Sequence, residues 1–363
     1  MASATNASIM RIRNEKTILS LIHREPISRV DIAKKTGLTK AAVTIITEDL
    51  IKRGIVREDK SDESVKVGRT PMLLRFCGDS VYFTGVNIKR TCISVGMCDL
   101  CGKVIFEETS DVAAPEKAFS VIWDSIRKNI EYHGIPKEKI SVISVVTPGP
   151  VDTENGIILN PPNFRNWHGV NVFEEMAKYT DIPVMLSNVS SAWAVAENYF
   201  GSAKNSDSFM TLINDEGIGA GIILGGSLFK GSCEIGHISV KYDGERCECG
   251  NTGCLEKYAS IPNILKGTKY KSWRECTRAK DERIINLEAE YLSAAIVTVS
   301  NIFNLDRTVL CGELAEDSDI FLRAVREKTF EKMILKKDFE IAAGAVRSLS
   351  LIACAIGIYN FLH

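Results

Sequence analysis

The sequence predicts an α/β chain, with a small helical head at the N-terminus and a larger body behind it. Two observations carry this. Near Val81 the apolar spacing changes from every third or fourth residue to every second, which marks a passage from helices to half-buried strands. Beyond that point strand-like runs alternate with helix-like stretches, the pattern of a mixed sheet with helices on its faces. A length of 363 residues allows two or three domains and a sizeable core.

Charge separates the two parts. Residues 1–75 hold fifteen Lys and Arg against nine Asp and Glu, a net +6, and the remainder carries −7. A basic head on an acidic body suits a head that meets a polyanion. The eleven cysteines are odd in number and follow no cationic-then-apolar leader, so a reduced, cytoplasmic chain is expected. Residues 1–8 are expected to form a flexible polar start. The uncharged run at residues 348–362 is short for a membrane span, so a buried packing helix and no membrane partner are expected.

In the head, residues 9–76, Ile18, Leu21 and Ile22 share one helical face and Pro26 ends that helix. Ser28 caps a second helix, with Val30, Ile32 and Ala33 inward, and Gly37 closes it in a left-handed turn. Leu38 plugs the turn. Thr39 caps a third helix, in which Val43, Ile46 and Leu50 repeat at core spacing. Two short helices joined by a glycine turn read as a helix-turn-helix, whose second helix enters the major groove. Thr39, Lys40, Ala41 and Thr44 then face DNA, being small, polar or basic groups suited to base edges and phosphates. Residues 55–60 and 65–76 are expected to pair as a wing, with Lys66 and Arg69 reaching phosphate or a minor groove.

The body opens with period-two runs at residues 81–88, 91–100 and 103–110, an expected antiparallel meander with a turn at 99–103. A helix over 116–132 and a buried strand over 140–147 follow, then helices at 172–179 and 191–200 and strands at 183–187 and 208–214. Cys98 and Cys101 form a C-x-x-C at the meander turn, away from any helix N-terminus that would lower a thiol pKa, so no redox role is expected.

The densest chemistry lies at residues 234–256, EIGHISVKYDGERCECGNTGCLE. His237, Cys247, Cys249 and Cys254 supply one imidazole and three potential thiolates within eighteen residues, and this donor set suits tetrahedral Zn2+ in a structural site. Gly250 and Gly253 permit the tight backbone that such convergence needs. Glu234 and Glu256 bracket the cluster and are not needed as ligands.

EIGH at 234–237 followed by CECGNTGCLE at 247–256 resembles the paired motifs of the ROK family of repressors and sugar kinases. TPGPVD at 147–152, residues 160–167 and GIGAG at 217–221 add to the resemblance, and the head matches the repressor branch. The resemblance implies an actin-like, ribonuclease-H-like two-lobed body behind a winged helix-turn-helix. It implies a first lobe over 80–190 joined by C-terminal helices at about 335–363, and a second lobe over 191–334 with the zinc site. It also implies sugar contacts at Asn163, Asn188, Glu234, His237 and Glu256, with zinc bracing the pocket.

Three departures argue against phosphoryl transfer. The kinase branch carries an Asp as base after the position of Asn188, where this chain has Val189, a residue that takes no proton. NIKRT at 87–91 lacks the glycines of the kinase phosphate loop, and Asp215 and Glu216 place negative charge in the second phosphate turn. The expectation is a non-enzymatic repressor of carbohydrate genes, gated by a sugar or sugar derivative. It binds a double-stranded DNA operator as a homodimer or homotetramer. Because Val189 also removes one sugar contact, control by a protein partner without sugar sensing is the alternative.

Overall fold

The computed structural model describes residues 2–60, 72–111, 114–204, 206–231, 233–316, 319–334 and 339–363. The head comprises α1 (Ala2–Arg24), α2 (Arg29–Thr36), α3 (Lys40–Lys52), β1 (Val56–Lys60) and β2 (Met72–Phe76). Helix α1 begins at Ala2, so the segment expected to be a flexible start is helical. Alanines at positions 2, 4 and 7 favour extension of a helix already anchored by its buried second half. Ser28 Oγ accepts from the Asp31 N–H and Thr39 Oγ1 from the Ala42 N–H, so both expected N-caps form. Gly37 takes the left-handed conformation at φ 71°. Ile18, Ile22, Ile32, Val43, Ile46 and Leu50 are buried, whereas Val30, expected inward, is 48% exposed. Strands β1 and β2 pair antiparallel from Val56 opposite Phe76 to Lys60 opposite Met72, forming the base of the wing. Lys66 and Arg69 lie outside the described residues.

The body continues with β3 (Tyr82–Ile88), β4 (Cys92–Asp99), β5 (Val104–Asp111), α4 (Pro115–His133), β6 (Ile140–Thr147), β7 (Val151–Asp152) and β8 (Ile157–Ile158). Next come α5 (Val172–Ala177), β9 (Val184–Asn188) and α6 (Val189–Phe200). They are followed by β10 (Phe209–Asn214), β11 (Ile218–Leu224), β12 (Ser227–Leu228), α7 (Glu256–Ala259), α8 (Ile261–Ile264), α9 (Trp273–Arg278) and α10 (Glu282–Phe303). The chain ends with β13 (Arg307–Gly312), α11 (Asp319–Lys332), β14 (Glu340–Ala343) and α12 (Leu349–Leu362). Helix α12 is the buried packing helix expected at the C-terminus. Among the described residues no helix is long and apolar enough to cross a membrane.

The chain divides into two compact units. Unit 1 takes residues 1–145, 172–185 and 349–363; unit 2 takes 146–171 and 186–348. Residues 146–171 therefore group with the second unit, and the head groups with the first.

Unit 1 holds the sheet β5-β4-β3-β6-β9, in which β3, β4 and β5 form the antiparallel meander. Asp99 Oδ1 closes its turn by accepting from the N–H groups of Cys101 and Lys103, each at 2.9 Å. Helix α12 lies on β3 and β4, where a Cβ on Gly85 would fall 2.2 Å from the Ser350 carbonyl oxygen. Glycine is required there by close approach. At its other end α12 meets α1: Lys16 Nζ donates to the Asn360 carbonyl and Ser20 Oγ to the Leu362 carbonyl, both at 3.1 Å.

Unit 2 holds the sheet β12-β11-β10-β13-β14, with β10, β13 and β14 parallel and β11 and β12 antiparallel. Its core gathers Met210, Leu212, Ile222, Trp273, Leu292, Ile296 and Phe321 between the sheet and α10 and α11. On β11, Cβ atoms at Gly219 and Gly221 would lie 2.3 Å from Ser190 Oγ and 2.1 Å from the Ser190 carbonyl oxygen. GIGAG is thus the track on which α6 packs.

Candidate functional site

The segment between β12 and α7 builds the densest site. A short 3-10 turn at Ile235–His237 sets Glu234 at one end and His237 at the other. The chain then forms a loop in which Gly250 and Gly253 take φ values of 92° and 70°. A Cβ on Gly253 would lie 1.6 Å from the Lys241 carbonyl oxygen, so glycine is needed there for both conformation and space. Asn251 fixes the loop by donating its Nδ2 to the His237 carbonyl at 3.0 Å. Behind it, Lys241 Nζ lies 4.6 Å from the centroid of the Tyr258 ring, which stacks on Tyr291 of α10.

The donor atoms of His237, Cys247, Cys249 and Cys254 all lie within 4.8 Å of one another. Cys249 and Cys254 sulfurs are 3.6 Å apart, and Cys247 Sγ is 3.7 Å from His237 Nδ1. A tetrahedron with zinc–sulfur bonds of about 2.3 Å and a zinc–nitrogen bond of about 2.0 Å has edges of about 3.5–3.8 Å, so the donor set fits a zinc ion in chemistry and spacing. Burial raises the Cys247 thiol pKa. Burial, with the neighbouring sulfurs, pushes that of Cys254 up to about 12. At Cys249 burial opposes ionisation, but the Asn251 N–H and the other sulfurs outweigh it and the pKa falls. One thiol is thus readied for ionisation, and a divalent cation would favour it in all three.

Of the remaining sugar-site candidates, Glu234 and Glu256 bracket this loop in sequence, and Asn188 meets Glu234 at the TPGP turn. Because His237 turns Nδ1 toward the sulfurs, its Nε2 is the nitrogen left for another partner. A Cβ on Gly149 would lie 2.1 Å from Asn188 Nδ2 and 3.7 Å from Glu234 Oε1, so Asn188 and Glu234 converge on the backbone of the TPGP turn. Glu256 Oε2 accepts from the Ile218 N–H at 3.0 Å and lies 3.4 Å from where a Cβ on Gly236 would stand. Asn163 stands on a separate loop, exposed and in the left-handed region at φ 56°. Asn188 also has a structural duty, since its Oδ1 caps α6 by accepting from the Ser190 N–H at 2.7 Å. Val189 is therefore the first residue of α6, beside this group, and brings a hydrocarbon there.

Asp215, at the end of β10, points its Oδ1 at the Glu313 N–H, 3.0 Å away, against Gly312 at the end of β13. A carboxylate of the chain itself thus takes the backbone donor beside the carboxyl ends of two parallel strands, where α/β sheets commonly bind ligands. In the head, Thr39, Lys40 and Ala41 are exposed and Thr44 is half-buried at the N-terminal end of α3. Two buried carboxylates went unnoticed in the sequence. Glu288 Oε1 accepts from Asn214 Nδ2 at 2.7 Å, and Asn214 also donates to the Ala259 carbonyl and accepts from the Ile261 N–H, tying α7 and α8 to α10. Glu197 is fully buried at the end of α6. Its signal was a lone acid ending the apolar run AWAVA.

Two sheets in sequence with strand order 3-2-1-4-5, a Cys3His loop in the second unit and a helix-turn-helix in front define an actin-like body joined to a DNA-binding-type head. The chain belongs to the ROK family, whose pattern it matches over residues 83–357. It is 28% identical to the xylose repressor of Caldicellulosiruptor bescii, over 93% of this chain and 92% of that protein. It is 30% identical to the Escherichia coli K12 DNA-binding transcriptional dual regulator NagC, over 89% of this chain and 86% of that protein. Among solved structures, a ROK family transcriptional regulator described as a homologue of the E. coli Mlc protein superposes with a TM-score of 0.81 at 25% identity, covering 98% of this chain and 96% of that one. The family also includes sugar kinases. A Streptomyces griseus glucokinase solved with glucose and AMPPNP shares the fold of the body, with a TM-score of 0.63 at 23% identity over 77% of this chain and 98% of that one.

Proposed function

We propose that this chain is a sequence-specific DNA-binding transcriptional repressor of carbohydrate-metabolism genes, gated by a sugar or sugar derivative. The observation that carries the reading is the first turn of α3, where Thr39, Lys40 and Ala41 stand open to solvent on a capped second helix of a helix-turn-helix. In this reading Thr44, Lys66 and Arg69 complete the DNA surface. The operator is bound by a homodimer or homotetramer, because two heads match two half-sites about one helical turn apart. The names of two relatives, a xylose repressor and a DNA-binding transcriptional dual regulator, support it.

Asn163, Asn188, Glu234, His237 and Glu256 hold the sugar, their amides, imidazole and carboxylates matching the donors and acceptors of vicinal hydroxyls. His237 Nδ1, Cys247, Cys249 and Cys254 hold one Zn2+, which stiffens the loop that presents Glu234 and Glu256. The chain does not phosphorylate its sugar, since Val189 stands where a base is needed and Asp215 fills the phosphate turn.

A gel-shift series on duplex DNA selected from a random pool tests the reading. The wild-type chain should bind with specificity, and Lys40→Ala should weaken binding about tenfold, in line with 1–3 kcal/mol for one lost contact. No specific binding to any selected duplex would sink the repressor assignment.

A further inference from the structure

We propose that Glu197 is the positioning residue that couples the sugar site to the DNA-binding head, by gripping the strap between β14 and α12; this rests on the reading of the chain as a sugar-gated regulator. Glu197 is fully buried and stands at the last full turn of α6. Its Oε1 accepts from the Val346 N–H at 2.9 Å, and its Oε2 from the N–H groups of Ser202 and Ala345 at 2.7 and 3.2 Å. Three backbone donors therefore satisfy a carboxylate that would otherwise be costly to bury. Its neighbours are cut back to make room, since Cβ atoms on Gly201 and Gly344 would lie 2.0 and 2.8 Å from its oxygens. Arg347 holds the same strap through its carbonyls, donating Nη1 to those of Gly344 and Val346 at 2.8 and 3.2 Å.

The position of this grip gives it a regulatory consequence. Helix α6 starts at Asn188, whose Oδ1 caps it and whose Nδ2 faces the TPGP turn beside Glu234. It ends at Glu197, so a displacement at the sugar site is delivered along one rigid helix to residues 345–346. The strap leads at once into α12, which leaves unit 2 at Ser348. The far end of α12 receives Lys16 and Ser20 of α1. Each link is a helix or a hydrogen-bonded backbone segment, and Glu197 joins the strap to α6 through the Ala345 and Val346 N–H groups.

The test uses the full-length, zinc-loaded chain and its selected duplex. Operator affinity is measured by fluorescence anisotropy with and without 10 mM D-xylose, D-glucose or N-acetyl-D-glucosamine (an experimental choice of about saturating concentration). Sugar affinity is measured by calorimetry, and exchange of the Ala345 and Val346 amides by hydrogen–deuterium exchange. In Glu197→Gln, an isosteric change that turns an amide N–H toward one of the three donors, sugar affinity should stay within about twofold. The sugar-dependent change in operator affinity should fall at least about fivefold, the lower end of ordinary coupling strengths, and the two amides should exchange faster. Arg347→Lys, a milder change on the other side of the strap, should move the same readouts the same way. A wild-type sugar response that survives unchanged in both variants overturns the proposal and leaves the regulator reading intact. A wild-type chain whose operator affinity ignores all three sugars while specific DNA binding persists ends the sugar-gating reading and this proposal with it.

Discussion

The two five-stranded sheets repeat one strand order and have been put to different uses. In β5-β4-β3-β6-β9 the glycines Gly85 and Gly96 give way to Ser350 of α12; in β12-β11-β10-β13-β14 Gly219 and Gly221 give way to Ser190 of α6. Each sheet thus seats one helix on a glycine track. The helix on the first sheet reaches the head through Asn360 and Leu362, while the helix on the second begins at Asn188 in the candidate sugar site. Only the second sheet is followed by the Cys3His loop. In the proposed reading, one architecture, used twice, separates a DNA-facing role from a ligand-facing one by what is attached to the seated helix.

Disrupting the proposed zinc site is expected to break this comparison most severely, because the Cys3His loop lies in unit 2. Cys249→Ser, or treatment with a strong chelator, should remove one zinc per chain by elemental analysis and destabilise unit 2 by several kcal/mol, since metal binding to such sites is itself folding free energy. Scanning calorimetry should show a lowered transition for unit 2, with the head still protected in hydrogen exchange. Full thermal stability of a metal-free chain would mean the four donors are only packed thiols.

Next come the glycine tracks, the shared feature itself. Gly221→Ala sets a methyl 2.1 Å from the Ser190 carbonyl oxygen, and Gly85→Ala sets one 2.2 Å from the Ser350 carbonyl oxygen. Both neighbours are backbone, so each change should cost about 1–3 kcal/mol or more in overpacking. If the two tracks are equivalent, Gly221→Ala lowers sugar affinity and Gly85→Ala lowers operator affinity, as read by calorimetry and anisotropy. The reverse pattern would mean the helices do not divide the roles as their end contacts indicate.

What was legible in the sequence follows the same division. The head was read nearly element by element because Ser28, Gly37 and Thr39 are local signals that act within a turn of the chain. Val30 was misplaced because an eight-residue helix carries too few apolar positions to define its buried face. The cluster of His237, Cys247, Cys249 and Cys254 was legible because four donors within eighteen residues converge without long-range information. Glu197 and Asn214 were not, because their partners lie 149 and 74 residues away in the chain. GIGAG was seen as a motif, but its steric reason exists only once α6 is laid on β11.

Unit 2 should also show a pH dependence of stability at a buried carboxylate. Glu288 is fully buried, and desolvation raises its pKa well above the usual carboxylate range, with the Asn214 hydrogen bond opposing only in part. In the unfolded chain it ionises near pH 4.3. Its folded form is neutral, so between those two pKa values the unfolded chain binds fewer protons. Stability contributed at this site is therefore greatest below the unfolded pKa and falls as pH rises toward the folded one, by about 1.4 kcal/mol per pH unit. Glu288→Gln keeps an acceptor for Asn214 and removes the titration. Its melting temperature should match the wild type below the unfolded pKa and exceed it increasingly as pH rises above it; parallel curves would mean Glu288 is ionised in the fold.

The smallest expected change, Val189→Asp, tests the proposed reading that position 189 lacks a base and that Asp215 closes the phosphate turn. Asp is well tolerated in the first turn of a helix, where the dipole favours a negative charge, so α6 should stand. In the proposed reading the new carboxylate, next in sequence to Asn188 at the start of α6, supplies one more hydroxyl acceptor. A charged hydrogen bond of about 1.5–3 kcal/mol corresponds to roughly ten- to a hundredfold tighter sugar binding, readable by calorimetry. Phosphoryl transfer should still be absent in an ADP-release assay. Asp215 already occupies the Glu313 N–H at the end of β10, and a nucleotide phosphate brought there would face that fixed negative charge. ADP release that depends on both sugar and the new carboxylate would show that Asp215 swings away, and that the second sheet kept a nucleotide site in reserve.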